Sequence, residues 1–166
     1  KGWIELVPRI GARVARLDAP PTLESVLISG AMLGLAYRFA VMKATEEEVS
    51  RFFELAARVI TIGRDPDGEA EAMAQAILEA GNYAIGIADN RRIDDVVGPV
   101  PQGALSGYIP LGIRSRRAAE EVAGLWADLA MAFRLRDPEA AERVGRQMTL
   151  SSYRRILDHQ LNGPSV

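Results

Sequence analysis

Residues 116–139, RRAAEEVAGLWADLAMAFRLRDPE, decide the fold class. Large apolar side chains recur there at three- and four-residue spacing, which predicts one apolar face on a helix over about 116–135. These side chains are Val122, Leu125, Trp126, Leu129 and Phe133. Asp137 before Pro138 predicts that another helix begins at once, because aspartate caps helix N-termini and proline suits the first helical position. Helices in such close succession are typical of a helical bundle.

The same signals predict further helices on both sides of this stretch. Residues 23–43 are apolar on nearly all sides, which predicts a central buried helix. Thr45 and Glu48 form a capping-box pattern that opens the next helix. Thr149 or Ser151 is expected to cap a last one. The predicted helices cover about residues 23–43, 45–62, 69–88, 116–135, 138–148 and 149–162, with residues 91–115 irregular because they are rich in proline and glycine.

The first 17 residues have a different pattern. Short apolar runs flank Pro8–Gly11, a segment with turn chemistry, and this predicts a β-hairpin. A helical N-terminal arm is the alternative, and Pro8 in its middle argues against it. Residues 18–22 then form a stiff linker. The predicted architecture is all-α, a bundle of about six helices over 23–162 preceded by a short β-hairpin over 1–17.

Composition excludes several function classes. The chain has 166 residues, 48% hydrophobic and 25% charged, and a net charge of −2, which is typical of one soluble domain and not of a basic nucleic-acid binder. It has no cysteine and one histidine, His159, so thiolate catalysis, a catalytic triad and a multi-histidine metal site are not expected. Ser29, Arg38 and Lys43 interrupt the longest apolar run, and no membrane span is expected. We therefore expect a cytoplasmic protein that is not an enzyme.

Three stretches of the bundle resemble the C-terminal ligand-binding domain, termed FCD, of GntR-family transcription regulators of the FadR subfamily. They are Gly30–Val49, Asn82–Asn90 and Leu129–Ala141, and their order and spacing carry the resemblance. Gly2–Ala15 is similar to the wing of that family's winged-helix DNA-binding domain. The resemblance implies a regulator whose recognition helix would precede Lys1, so that DNA binding needs that missing domain.

The resemblance also implies residue roles. Arg9, Gly11 and Arg13 would lie in the DNA-contacting wing, and the protein would act as a homodimer. Many FCD domains hold a divalent metal through one aspartate and three histidines. By the matched motifs those positions fall on residues that cannot ligate such a metal, namely Ile77, Gly81, Trp126 and Met148. No metal or other cofactor is therefore expected.

The space vacated by such a metal site could form an effector pocket. Its expected lining is Ser29, Gly30, Ile77, Gly81, Asn82, Trp126 and Met148. An apolar or aromatic acid is the expected effector, with Trp126 as a stacking surface. The alternative is a collapsed core in which Trp126 and Met148 fill the former cavity. In that case the domain would serve only dimerisation or protein docking.

Overall fold

The computed structural model describes residues 4–7, 11–14, 23–91 and 112–162. Arg9, the predicted linker at 18–22 and most of the proline- and glycine-rich stretch at 91–115 lie outside these ranges. Within them the chain is a helical bundle, which confirms the predicted all-α class.

Five helices make up the described part of the bundle. They are α1 (Leu23–Lys43), α2 (Glu46–Arg64), α3 (Ala70–Ala88), α4 (Arg116–Leu135) and α5 (Pro138–Asn162). Two four-residue strands precede them, β1 (Ile4–Val7) and β2 (Gly11–Val14). The strands pair antiparallel, with Ile4 opposite Val14 and Val7 opposite Gly11.

Side-chain caps fix three helix starts. The Thr45 hydroxyl accepts a hydrogen bond from the Glu48 amide at 3.2 Å, and the Glu48 carboxylate accepts one from the Thr45 amide at 2.8 Å. Asp137 accepts from the Ala140 amide at 2.9 Å, directly before Pro138. Ser115 caps α4 in the same way through the Ala118 amide. Each cap satisfies an amide that has no partner inside its helix.

The predicted break near Met148 is wrong, because α5 is continuous from Pro138 to Asn162. The Thr149 hydroxyl donates to the Gly145 carbonyl at 3.2 Å, one turn back along the same helix. Its polar group is therefore satisfied inside the helix and does not start a new one. Two of the predicted helices are thus one.

Helix α1 packs most extensively against α5, while α2 packs most extensively against α4. Helix α3 contacts both α1 and α2, which brings the two pairs together over one apolar core. Lys43, at the end of α1, donates to the Ala88 and Asp89 carbonyls and so joins the ends of α1 and α3.

Helix α1 is less buried than its sequence predicts. Ile28 is 58% exposed and Met42 is 63% exposed, so one side of α1 faces outward. The stretch Val26–Lys43 is long and apolar enough to cross a membrane by length and composition, contrary to the expectation from its interrupting polar residues, and 39% of it is buried in the bundle. A core helix of a bundle meets the same criterion.

Candidate functional site

Trp126 belongs to an aromatic cluster between α2 and α4. Trp126 is 3% exposed, and the centre of its ring lies 6.2 Å from the centre of the Phe52 ring. Phe52 in turn stacks on Phe133 with 4.0 Å between the ring centres. The apolar face predicted for α4 is thus the face that packs on α2. An effector that stacks on Trp126 must compete with these contacts.

Gly30 lies where α1 meets α5. A Cβ atom at Gly30 would lie 3.3 Å from the Thr149 Cβ atom, which is a tight contact, and 3.7 Å from the Arg146 carbonyl oxygen. The missing side chain at this position therefore lets α5 approach α1. Ser29, its neighbour, is half-buried on the same helix.

Gly81 lies on α3 opposite Tyr37 of α1. A Cβ atom at Gly81 would lie 3.8 Å from the Tyr37 hydroxyl oxygen. Tyr37 is buried, and burial raises the pKa of its phenol well above the ordinary value. The phenol is therefore neutral at physiological pH and can donate a hydrogen bond. Tyr37 was not predicted as a site residue, because its long-range partner α3 cannot be read from the local pattern.

The remaining predicted pocket residues differ in burial. Ile77 and Met148 are half-buried and pack against the apolar core, whereas Asn82 is exposed. The structure thus places Gly30 against α5, Gly81 against α1 and Trp126 against α2. These three contacts belong to three different helix pairs.

A groove that the sequence did not predict opens along the contact of α1 and α5. Its volume is about 330 Å³, and it is lined by Arg38, Glu139, Glu142, Arg143 and Arg146. Arg38 donates to Glu142 at 3.0 Å and to Glu139 at 2.9 Å, and Arg146 donates to Glu142 at 2.6 Å. The spacing of Glu142 and Arg146 suggests a pair within one helix. Arg38 lies more than 100 positions away in sequence, so its ion pairs with α5 could not be predicted from the local sequence.

These ion pairs shift the pKa values of two side chains that line the groove. The Arg38 hydrogen bond holds the pKa of Glu142 below its usual range, although partial burial opposes the shift. The same bond raises the pKa of Arg38. Both carboxylates accept from arginine, so Arg38, Arg146 and these two carboxylates form a network of paired charges along the groove.

Of the proposed wing residues, Gly11 and Arg13 lie in β2, and Arg9 is outside the described residues. Gly11 pairs with Val7, and Arg13 pairs with Glu5 across the two strands. The described residues contain no group of three histidine, cysteine or acidic side chains placed to hold a metal ion.

The chain matches no known family model and no curated protein.

Proposed function

We propose that the chain is the effector-binding and dimerisation part of a FadR-like regulator of the GntR family, in which ligand binding modulates DNA affinity. The observation that carries the proposal is the order of elements: two antiparallel strands, Ile4–Val7 and Gly11–Val14, are followed by an all-helical bundle from Leu23. The two parts resemble different domains of that family, and they occur here in the family's own order.

The hairpin supplies the DNA-contacting part of this proposal. Arg13 lies in β2, and the resemblance to a wing implies that it and Arg9, which is outside the described residues, contact phosphates or enter the minor groove. Winged-helix regulators bind sites with two-fold symmetry, which calls for a homodimer. Exposed apolar side chains near the start of α1, among them Leu27 and Ile28, provide surface that a dimer would bury.

The bundle supplies the effector-binding part. The effector is an apolar or aromatic acid that binds between α1, α3 and α4, with Gly81 giving room beside the Tyr37 hydroxyl. Binding would favour one arrangement of the dimer over another and so change the spacing of the DNA-binding domains. This is the coupling that a ligand-responsive regulator needs.

A thermal-denaturation screen tests this function. Fatty acids, aromatic acids and small organic acids are added to the protein, and a ligand of the native state raises the unfolding midpoint. Trp126→Ala should remove that shift, whereas Phe133→Ala, a truncation in the same aromatic cluster, should retain it. Trp3→Phe removes the second tryptophan, so that quenching of Trp126 fluorescence can be followed directly.

Sedimentation tests the dimer in the same samples. We expect a dimer mass at micromolar concentration that falls on dilution. A monomer at every concentration, with no compound shifting the midpoint, would contradict the proposed function.

Dimerisation or protein docking without effector sensing is the second candidate. The close approach of Thr149 to Gly30 and the tilted ring contact of Trp126 with Phe52 favour it, because both positions are already filled by protein. A dimer that no compound stabilises would support this function over the first.

A further inference from the structure

The outward side of α1 carries a row of apolar side chains, which we term the α1 seam: Ile28, Met32, Leu35, Phe39 and Met42. The two end residues, Ile28 and Met42, are 58% and 63% exposed, and the three between them are half-buried. Consecutive members are four, three, four and three positions apart, which is the heptad spacing that pairs helices in coiled coils. The seam therefore has the pattern of a helix contact, while its ends are uncovered in the described part of the chain.

The seam differs from the other surfaces of the bundle helices. Inside the bundle α1 packs through another side, where Gly34 lies against α5 and the Tyr37 hydroxyl lies near α3. The outward side of α2 is charged, and Arg51, Glu54 and Arg58 form exposed ion pairs there. Such a charged side is what contact with water alone predicts. An apolar outward side on α1 indicates a partner.

Opposite charges lie at the two ends of α1. Glu24 is in its first turn and Lys43 in its last turn, and both residues are exposed. Lys43 donates to backbone carbonyls, and neither residue forms an ion pair with another described side chain. In an antiparallel pair of α1 helices each Glu24 comes near the partner's Lys43, whereas a parallel pair brings like charges together. The charges therefore favour a second, antiparallel copy of the same helix.

The apolar side chains fit the same arrangement. A two-fold axis between residues 33 and 34 puts Ile28 opposite the partner's Phe39. The same axis puts Met32 opposite the partner's Leu35. The symmetry repeats each pair, as in other isologous contacts. One register thus matches both the apolar seam and the charges at its ends.

We propose that a second copy of this chain covers the α1 seam, with the two α1 helices antiparallel about this axis. The inference rests on the homodimer of the proposed function, which it locates, and it needs neither an effector nor DNA. It places Met42 in the subunit contact. Met131 of α4, which is 49% exposed, lies outside that contact.

A matched pair of methionine substitutions tests the location of the contact. Met42→Glu and Met131→Glu each put a carboxylate on an exposed helical position, and glutamate is a good helix former at both. Sedimentation equilibrium of the whole chain measures the dimer dissociation constant. We expect Met42→Glu to raise it by about 10-fold to 100-fold, because a charge enters the apolar contact near the partner's Glu24. Met131→Glu should leave it unchanged.

A second pair of variants tests the charges at the helix ends. Glu24→Lys should raise the dissociation constant by about threefold to tenfold at low ionic strength, and added salt should reduce this difference. Glu71→Lys is the matched control, because Glu71 is an exposed acid in the first turn of α3. It should leave the dimer unchanged.

Disulfide crosslinking tests the orientation, since the chain has no cysteine of its own. Glu24→Cys and Met42→Cys are prepared separately, mixed to exchange subunits and oxidised. In the antiparallel dimer residue 24 lies beside residue 42 of the partner, so the mixture should give a crosslinked dimer. Glu24→Cys alone should not, whereas a parallel dimer would crosslink it. Glu24→Cys mixed with Met131→Cys is the control and should give no mixed crosslink.

The outcomes separate this inference from the proposed function. A dimer weakened by Met131→Glu and not by Met42→Glu, or crosslinked through Glu24→Cys alone, would overturn the inference and leave effector binding intact. A wild-type chain that stays monomeric would also overturn it, even if an acid raises the unfolding midpoint. A dimer weakened only by Met42→Glu that no acid stabilises would support the inference and contradict effector binding.

Discussion

Two helix pairs in this bundle are held together by opposite means. Between α2 and α4 the contact is made by large rings, with Phe52 and Phe133 both fully buried. Between α1 and α5 it is made by glycines, since a Cβ atom at Gly145 would lie 2.9 Å from the Gly34 Cα atom. Large side chains fill the space between α2 and α4, whereas α1 and α5 pack with their backbones close together.

The two contacts also differ at their edges. The α1–α5 contact is bordered by the ion pairs of Arg38 with Glu139 and Glu142. The α2–α4 contact also has an ion pair, between Arg136 and Glu46 at 2.5 Å, and in addition the exposed Arg134 guanidinium lies 5.9 Å from the centre of the Phe53 ring. The comparison indicates opposite sensitivities: truncation should damage the aromatic contact, and enlargement should damage the glycine contact.

Truncation of the aromatic contact should have the largest effect. Phe133→Ala removes a fully buried ring that stacks on Phe52, and we expect a loss of about 3–5 kcal/mol in the free energy of unfolding. Urea denaturation followed by circular dichroism measures it. Phe53→Ala truncates the exposed ring next to Phe52 on α2; it is the control and should cost much less. Equal losses in both variants would show that the stacked pair is not what holds α2 to α4.

Adding a side chain at the glycine contact between α1 and α5 should have the second-largest effect on stability. A Cβ atom at Gly34 would lie 2.7 Å from the Glu142 carbonyl oxygen, a distance that requires the two helices to move apart. We expect Gly34→Ala to lower the free energy of unfolding by about 1–3 kcal/mol, although alanine favours helix. Chemical denaturation is again the measurement. A more stable variant would contradict the close approach of α1 and α5.

The caps explain why most helix positions could be predicted. The Thr45 capping box and the Asp137–Pro138 start depend on residues within three positions of each other, so the local sequence contains the whole interaction. The supposed start at Thr149 used the same rule and was wrong. Its hydroxyl bonds within α5, which packs against α1 over much of its length. Tertiary contacts there override a weak local signal.

The candidate site could be predicted only in part, for the same reason. A glycine in a helix can leave a cavity or let another helix approach, and the sequence around Gly30 does not distinguish these cases. The structure shows close approach, with Thr149 next to it. Arg38 was not recognised as a site residue because its partners come from another helix, α5. Burial of Trp126 was predictable because it follows from the period of its own helix.

The ion pairs at the edge of the α1–α5 contact should give a smaller, pH-dependent effect. The pKa of Glu142 is lowered in the folded state by its hydrogen bond from Arg38, so this carboxylate stabilises the fold above its unfolded pKa near ~4.3. The stabilisation is lost as the pH falls through the lower, folded pKa. Glu142→Gln should therefore cost about 1 kcal/mol at neutral pH and progressively less in acid.

Thermal unfolding of the wild type and of Glu142→Gln between neutral pH and pH ~3 measures how far the difference in their stability shrinks in acid. Glu54→Gln, which removes the exposed pair with Arg51, is the matched control and should have little effect at any pH. A difference between wild type and Glu142→Gln that grows in acid would show that the Arg38 pair does not stabilise the fold.

The smallest effect should have the opposite sign: it comes from Gly124, which no described helix approaches closely. Gly124 lies in the middle of α4, and an added Cβ atom there would have no neighbour within 4 Å among the atoms the structure describes. Gly124→Ala should therefore raise the free energy of unfolding by about 0.5–1 kcal/mol, because alanine restricts the unfolded chain and favours helix. Paired with Gly34→Ala, it separates the backbone effect of the substitution, which both variants share, from the packing effect, which only Gly34 has. A loss of stability at Gly124 that disappears on dilution would instead place this face of α4 in a subunit contact.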